Sequence, residues 1–296
     1  MIYLTTNTDG WVTGSSEGIG SVCQWNLLLN CLCQDLRVQF CADPFTNINH
    51  WQYNDMTVQE WSYQFTSFFN FKRKYVDVPC YDFDGSYNDL VDIIHTSQIL
   101  SKPDDTIYKV SKQFIVQNCL KRMDEFSAKG YFSTIRDSLN YQGEKYFEEG
   151  RRNISVHVRA SNSADIPPNV PSMETYGVWI GQGEICNLIE NFKKVLYNEE
   201  VTLHIHSQGD ESNFDEIKSA ETDSFKIELK LNRPATEDIY HMSHADILVL
   251  AKSSYSWMAH LLNGGCIIAR DNYHQPLRST VDLVDQHYNF RNNVKF

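Results

Sequence analysis

The second half of the chain alternates short apolar runs with stretches whose apolar residues recur at helical spacing. The apolar runs, each suited to one buried strand, lie at 154–158, 201–205, 225–229, 247–250 and 266–269. The helical stretches lie near 181–197, 211–219, 234–241 and 256–262. Strands separated by single helices predict a parallel sheet with right-handed crossovers and helices on both faces, a Rossmann-like unit over about 150–272. Ligands of such sheets bind at the carboxyl ends of the strands.

The first half is less regular. Residues 2–6 and 37–41 predict two strands, with a helix from Gly20 to about Leu32 between them. A later stretch places four apolar residues on one helical face, namely Ile115, Cys119, Met123 and Phe126. A last helix is predicted over 131–149, ending at Gly150. We therefore place the domain boundary there, between an N-terminal α/β domain (1–150) and a C-terminal Rossmann-like domain (151–296).

Composition narrows the class of protein. The 296 residues suit two domains of about 150 residues each. The net charge of −12 argues against a nucleic-acid surface, which needs a basic stripe. The first residues lack the basic and apolar regions of a secretory signal, and no apolar run approaches the roughly 18 residues of a membrane span. We therefore expect a cytoplasmic protein without an integral membrane segment.

The eight cysteines are scattered and form no C-x-x-C pair. A zinc site needs clustered ligands at short fixed spacings, so we expect buried, reduced thiols and no zinc. Asp82 and Asp84 alternate in a way that suits a divalent cation, but the segment lacks the closing glutamate of a calcium loop. We predict a turn or the start of a helix there, and no metal.

A glycine motif indicates one possible enzyme class. The segment 13–20 contains Gly14, Gly18 and Gly20 in the spacing of short-chain dehydrogenases, and Tyr141 with Lys145 matches their Tyr-x-x-x-Lys pair. Such glycines let a pyrophosphate approach a helix N-terminus. However, the segment before the glycines is polar, whereas the fingerprint should follow an apolar strand. A nicotinamide-dependent oxidoreductase therefore stands as the alternative.

The second half carries a stronger combination of motifs. Strand alternation places His157 and Arg159 on one face, where Arg offers a fork of donors for phosphate oxygens. Residues 246–257 read as a strand, a small-residue turn with Ser253 and Ser254, and a helix. A helix start of this kind is a ready anion site. Ser207 follows another strand, at the same predicted sheet edge.

These segments resemble motifs of the α1,2- and α1,6-fucosyltransferases. The segment 156–159 resembles their H-x-R-R motif, 206–210 their Ser-Asp-Asp motif, and 245–256 their Ala-Asp motif that ends in Ser-Ser-Phe-Ser. The segment 18–24 resembles their first glycine loop, Gly-x-Gly-x-Gln. The four occur in family order and cover most of the chain. The family's second arginine is Ala160 in this sequence.

The resemblance implies a GT-B-like fold, with two Rossmann-like domains facing a cleft, and an inverting transferase that needs no metal or other cofactor. The donor would be GDP-fucose or another GDP-sugar, and the acceptor a carbohydrate. Carried over by position, Arg159, Ser253 and Ser254 would bind the donor diphosphate, while His157 and Asp246 would contact the nucleoside. Ser207 would lie beside the donor. Gly18 and Gly20 would allow its close approach.

An acceptor hydroxyl must lose a proton as it attacks the donor sugar. Asp165, in the loop after Arg159, is our candidate base, and Glu174 is second. Asn49 and His50 follow the second predicted strand and are candidates for the acceptor side. Because Ala160 removes one positive charge, a sugar-nucleotide or glycan-binding protein without catalysis is a third hypothesis.

Overall fold

The computed structural model describes residues 1–6, 18–42, 56–72, 78–99, 105–159, 181–271, 273, 275–285 and 287–290. The chain divides into two compact units, Met1–Asn140 and Tyr141–Phe296. No helix in the described part of the chain has the length and apolar character needed to cross a membrane.

The N-terminal unit is built on a parallel sheet. In chain order, its elements are β1 (Ile2–Thr6), α1 (Ile19–Leu36), β2 (Gln39–Phe40), α2 (Val58–Phe68), β3 (Cys80–Phe83), α3 (Tyr87–Ile99), β4 (Thr106–Val110), α4 (Lys112–Asn118), a 3₁₀ turn (Leu120–Arg122), α5 (Met123–Ala128) and α6 (Tyr131–Asp137). The strands pair in the order β2-β1-β4-β3. Helix α1 is buried along most of its length, including Leu27, Leu28 and Leu29, which explains its continuous apolar sequence.

Two helical predictions in this unit need correction. The four residues Ile115, Cys119, Met123 and Phe126 are all buried, as expected, but they are shared among α4, α5 and the turn between them. The helix predicted over 131–149 ends at Asp137, and residues 138–149 are not helical. Tyr146, which belongs to the second unit, does not continue the helix because its ring stacks on that of His241 in the same unit, at a centroid distance of 3.5 Å.

The segment 80–89 contains the predicted start of a helix, but a strand that was not predicted precedes it. It forms strand β3 followed by the start of α3. Ser86 and Asp89 cap this helix reciprocally: the backbone N–H of Ser86 donates to Asp89 Oδ2 at 2.7 Å, and the N–H of Asp89 donates to Ser86 Oγ at 3.3 Å. Asp82 thus lies on the exposed edge strand, Asp84 lies between this strand and the helix, and Asp89 belongs to the helix cap. Among the described residues, no group of three or more His, Cys, Asp or Glu side chains is arranged to hold a metal ion.

The C-terminal unit is a six-stranded parallel sheet. Its elements are β5 (Arg152–His157), α7 (Gln182–Val195), β6 (Val201–Ser207), a 3₁₀ turn (Glu211–Phe214), α8 (Asp215–Lys218), β7 (Phe225–Leu231), α9 (Ala235–His244), β8 (Ile247–Val249), α10 (Ser254–Leu262), β9 (Cys266–Arg270) and β10 (Asp282–Val284). The strand order is β10-β9-β8-β5-β6-β7. Helix α7 packs on one face, and α9 and α10 on the other. The expected two α/β domains, the second a parallel sheet with helices on both faces, are confirmed.

The two faces of this sheet differ in polarity. On β5, Ile154 and Val156 point into the apolar core that α7 covers. Asn153, Ser155 and His157 alternate with them and point to the other face, where they are also buried. The parallel register places Ser155 beside His204 of β6, and His157 beside His206. The centre of the sheet thus has one apolar and one polar face.

The boundary between the compact units lies between Asn140 and Tyr141, earlier than the expected position after Gly150. The reason is the packing of residues 141–150 on the polar face of the second sheet. Besides the contact of Tyr146 with His241, the ring of Phe147 lies 4.9 Å from that of His204. The Nζ atom of Lys230 lies 3.8 Å from the centre of the Tyr146 ring. These contacts assign the segment to the C-terminal unit.

Candidate functional site

The candidate site lies at the carboxyl edge of the second sheet. Strand β5 ends there at His157 and β6 at Ser207, while β7 and β8 lead into the starts of α9 and α10. Backbone N–H groups at a helix start have no partner within the helix and carry partial positive charge. Two such helix starts therefore meet the ends of two central strands.

His157 has an unsatisfied polar atom. The residue is only 9% exposed, and its Nδ1 has no hydrogen-bond partner among the described residues. Burial, together with the nearby His206 and the positive charge of Arg159, lowers the pKa of His157 to about 3. The imidazole is therefore neutral at physiological pH. A buried polar atom without a partner costs roughly 1–3 kcal/mol, which a ligand group could recover.

Arg159 lies two residues beyond His157, just past the end of β5. The contribution of Arg159 to the lowered pKa of His157 shows that its charge is close to the imidazole. That the side chains of these two residues share a face at the sheet edge stays a prediction. Arg159 is half-buried and is the last residue described before position 181.

Ser253 caps helix α10. Its Oγ accepts a hydrogen bond from the backbone N–H of Tyr255 at 3.2 Å, and its carbonyl oxygen accepts one from the hydroxyl of Tyr273 at 3.0 Å. The Tyr255 hydroxyl donates to the carbonyl oxygen of Ala235 at 2.6 Å. This bond ties the start of α10 to the start of α9. Ser254 is the first residue of the helix and is partly exposed.

The side chains of His157 and Tyr255 connect the strand end to this helix start, with ring centroids 5.3 Å apart. His157 therefore lies near the helix start that contains Ser253 and Ser254. Together they present a neutral imidazole, a capped helix start and, from Arg159, a positive charge. This combination of groups is suited to an anion with a polar organic part.

Asp238 is a further buried acid at this edge, which our reasoning from sequence missed. It lies in the first turn of α9, and its Oδ1 is 2.9 Å from Nδ1 of His206. Burial raises the pKa of Asp238, and the contact with His206 opposes that rise. The sequence signal was an acid in the first turn of the helix after β7. Its meeting with His206 is a tertiary contact that no local pattern shows.

The other ring nitrogen of His206, Nε2, lies 3.1 Å from Oγ of Ser155. Asp238, His206 and Ser155 thus follow the order of a hydrolase triad. However, Ser155 is fully buried in the middle of β5, with paired strands on both sides. A substrate cannot reach its hydroxyl, so this chain of contacts is not a nucleophilic site.

Two other residues from the sequence prediction are placed differently. Asp246 precedes β8 and lies at the amino edge, opposite to His157. Its Oδ2 accepts a hydrogen bond from the backbone N–H of Asn153 at 2.8 Å. Ser207 lies at the carboxyl edge, but strand alternation turns its side chain away from the face of His206, and its Oγ donates to the carbonyl of Gln208 at 3.3 Å. The structure does not bring either side chain to His157.

Gly18 and Gly20 lie at the start of α1 in the N-terminal unit, where Gly18 is the N-cap with extended backbone. The remaining predicted site residues lie outside the described part of the chain: the candidate bases Asp165 and Glu174, the acceptor-side residues Asn49 and His50, and also Gly14 and Ala160.

The Tyr-x-x-x-Lys pair of the oxidoreductase alternative is not on a helix. Tyr141 stacks on Tyr240 at a centroid distance of 4.3 Å, and Lys145 Nζ lies 5.5 Å from the same ring. Both belong to the non-helical segment of the C-terminal unit, whereas Gly18 and Gly20 belong to the N-terminal unit. The helical arrangement that this chemistry needs is therefore missing from the described residues.

Comparisons with solved structures give several distant likenesses. The E. coli heptosyltransferase WaaC with ADP-2-deoxy-2-fluoro heptose is 10% identical, with a TM-score of 0.43 over 96% of this chain and 93% of that chain. POFUT1 in complex with GDP-fucose is 11% identical, with a TM-score of 0.42 over 89% and 96%. The UDP-GlcNAc 2-epimerase from Neisseria meningitidis bound to UDP-GlcNAc is 12% identical, with a TM-score of 0.40 over 93% and 84%. No family model and no curated protein matches the sequence. Likenesses at this level assign no activity.

Proposed function

We propose that this protein is a sugar-nucleotide-dependent glycosyltransferase whose donor binds at the carboxyl edge of the second sheet. The observation that carries the proposal is the buried Nδ1 of His157, which has no hydrogen-bond partner among the described residues and lies near the capped start of α10 and the charge of Arg159. A nucleotide would supply a diphosphate for the cationic groups and a polar partner for the imidazole. The donor class that we propose is a GDP-sugar, with fucose as the first candidate.

In this proposal, Arg159, the hydroxyl groups of Ser253 and Ser254 and the backbone N–H of Ser254 hold the diphosphate. Cleavage of the glycosyl–phosphate bond builds negative charge on the departing diphosphate, and preorganised donors stabilise that charge. Asp238 takes the place that we had expected for Asp246, because Asp238 is a buried acid at this edge of the sheet, whereas Asp246 lies at the other edge. Its carboxylate would accept hydrogen bonds from the nucleoside part of the donor.

The acceptor would be a carbohydrate, and its hydroxyl would attack the anomeric carbon from the side opposite to the diphosphate, with inversion and without a metal. Asp165 remains our candidate for the base that takes the hydroxyl proton, with Glu174 second. Asn49 and His50 remain the candidates for the acceptor side. The fold and charge pattern suit a protein that binds nucleotide and glycan rather than nucleic acid.

Isothermal titration calorimetry with GDP tests the donor site. We expect binding by the wild-type protein and a loss of about ten- to a hundredfold in affinity for Arg159→Ala, since charge-assisted hydrogen bonds contribute roughly 1.5–3 kcal/mol. Arg159→Lys should recover part of the loss, because a single ammonium replaces a bidentate fork.

Arg152→Ala is the matched control. Arg152 lies at the other end of the same strand, where its Nε donates to Glu199 Oε2 at 2.8 Å. GDP affinity should be unchanged in this variant. Equal losses in the two variants, or binding of NADH in place of GDP, would overturn the donor-site assignment. Transfer of fucose from GDP-fucose to a glycan then distinguishes an enzyme from a binding protein.

A further inference from the structure

His206 is a fully buried histidine at the end of β6 that does not itself line the proposed donor site. One side of its ring contacts Asp238, a residue of the proposed site, and the other side contacts Ser155, in the middle of the sheet. Its Nδ1 lies 2.9 Å from Asp238 Oδ1, and its Nε2 lies 3.1 Å from Ser155 Oγ. Because both ring nitrogens have a partner, the plane and tilt of the ring are fixed.

One tautomer satisfies both contacts. A carboxylate only accepts hydrogen bonds, so Nδ1 of the neutral ring carries the proton and donates to Asp238. Nε2 then carries the lone pair and accepts a hydrogen bond from the hydroxyl of Ser155. Ser155 is fixed in turn, because β5 is paired to β6 and β8 on either side. Asp238 is thus connected through His206 to a central strand of the sheet.

We propose that His206 is a positioning residue, which fixes the carboxylate of Asp238 toward the hydrogen-bond donors of the bound nucleoside and so sets the nucleotide affinity. The proposal rests on the proposed function, since it assigns Asp238 to the donor site. His206 acts through Asp238 and does not touch the donor.

The charges around Asp238 indicate what the loss of His206 would do. Burial raises the pKa of this carboxyl, while the His206 contact and the positive charge of Arg233, from the turn before α9, lower it. Glu237, its neighbour on α9, and Tyr146, from segment 141–150, also interact electrostatically with Asp238. Without the N–H of His206, the effect of burial is less opposed. Asp238 would then take up a proton, and lose its charge, at higher pH.

Two substitutions separate the two contacts of the ring. An Asn side chain reaches about as far as Nδ1, so His206→Asn keeps a donor for Asp238 and loses the bond to Ser155. A Gln side chain reaches about as far as Nε2, so His206→Gln keeps a partner for Ser155 and loses the donor to Asp238. Gln is closer to His in size, so a residue that only fills space would tolerate Gln better.

The test is GDP affinity by calorimetry between pH 5.5 and 8 on the full-length protein. We expect His206→Asn to stay within about threefold of the wild type, and His206→Gln to lose about tenfold or more. In His206→Gln, the fall of affinity on the acid side should also move to higher pH. A Gln variant that binds as well as the Asn variant, with an unchanged pH profile, would overturn the proposal.

Two further measurements keep the result decisive. Ser155→Ala keeps the ring of His206 and removes only its contact with Ser155, so it should weaken GDP binding by a few fold. This test does not depend on whether the His206 variants fold. Carbon-13 NMR of the carboxyl groups in the ligand-free protein should show a higher pKa for Asp238 in His206→Gln; an unchanged titration contradicts the proposal. A wild-type protein that does not bind GDP refutes the proposed function itself, which is a different outcome.

Discussion

At the scale of single residues, the polar face of the second sheet gathers four buried histidines. These are His157, His204, His206 and His241. Burial lowers the pKa of His157 and of His241 to about 3 in each case, and it also lowers the pKa of His204. In an unfolded chain, the pKa of His157, His204 and His241 would be near 6.5. The folded protein therefore excludes protons that the unfolded chain accepts.

This difference predicts an unusual sensitivity to mild acid. Well above pH 6.5, His157, His204 and His241 are neutral in both states and have no effect. Between pH 6.5 and 5 only the unfolded chain takes up protons, so stability should fall as the pH falls, by up to about 1.4 kcal/mol per pH unit for each histidine. The pKa of Glu228, like that of Glu125, is lowered to about 2, so these carboxylates stay ionised in this window. Urea unfolding at several pH values measures the effect.

Two variants identify the residues responsible. His241→Phe keeps an aromatic ring against Tyr146 and removes one titrating group, so the slope of stability against pH should decrease. His95 is exposed on α3, and His95→Gln should leave the slope unchanged. A slope that is the same in the wild type and in His241→Phe would contradict the explanation.

Part of the site could be predicted at this scale. The position of His157 at the end of a strand follows from the apolar run 154–158, and the cap at Ser253 follows from a strand–turn–helix pattern; that Arg159 shares the face of His157 stays a prediction. Asp246 was placed with them, although it precedes the apolar run of β8, and a residue before a strand belongs to the amino edge. Asp238 and His206 are 32 positions apart and meet only through tertiary packing. Sequence periodicity carries no information about that contact.

At the scale of elements, prediction succeeded where one element had one clear period. The strands of the second sheet are buried on at least one face by helices, so they appear as short apolar runs. The prediction of a helix over 138–149 failed because the polar residues of this segment suit a helix, whereas the rings of Tyr146 and Phe147 pack on the sheet face. Strand β10 has three residues and no distinct pattern. Tertiary contacts outweighed local propensity in these places.

The start of α10 allows the cap to be separated from the proposed anion site. Asp is as good an N-cap as Ser, so Ser253→Asp should leave the stability of the fold nearly unchanged. Its negative charge would face the donor diphosphate, and like charges about 4 Å apart repel by several kcal/mol at an effective dielectric constant near 20. We therefore expect GDP affinity to fall by at least about tenfold in calorimetry.

Ser253→Ala gives the opposite combination. Loss of the cap should lower the free energy of unfolding by about 1 kcal/mol, while the backbone donors of the helix start remain. GDP affinity should then change less than in Ser253→Asp. If Ser253→Asp binds GDP normally, the diphosphate does not lie at this helix start.

At the scale of the whole molecule, the chain consists of two compact units whose boundary depends on ten residues. Segment 141–150 follows the last helix of the N-terminal unit and covers the polar sheet face of the other. A polypeptide of residues 141–296 should therefore unfold cooperatively, whereas one of residues 151–296 should be less stable by at least 3–5 kcal/mol, roughly the cost of removing one large buried aromatic side chain. Guanidinium unfolding of the two fragments measures the difference in stability. Equal stabilities would mean that the domain boundary lies at Gly150.

The central position of β5 also has a consequence for synthesis on the ribosome. Its partner on one side, β6, is translated soon afterwards, and His204 lies 51 positions beyond Asn153. Its partner on the other side, β8, arrives much later, since 93 positions separate Asn153 from Asp246. Until then, β5 exposes an unpaired backbone edge, which can pair with another nascent chain. The interval between the emergence of β6 and that of β8 is therefore the period in which a chaperone would protect this protein most.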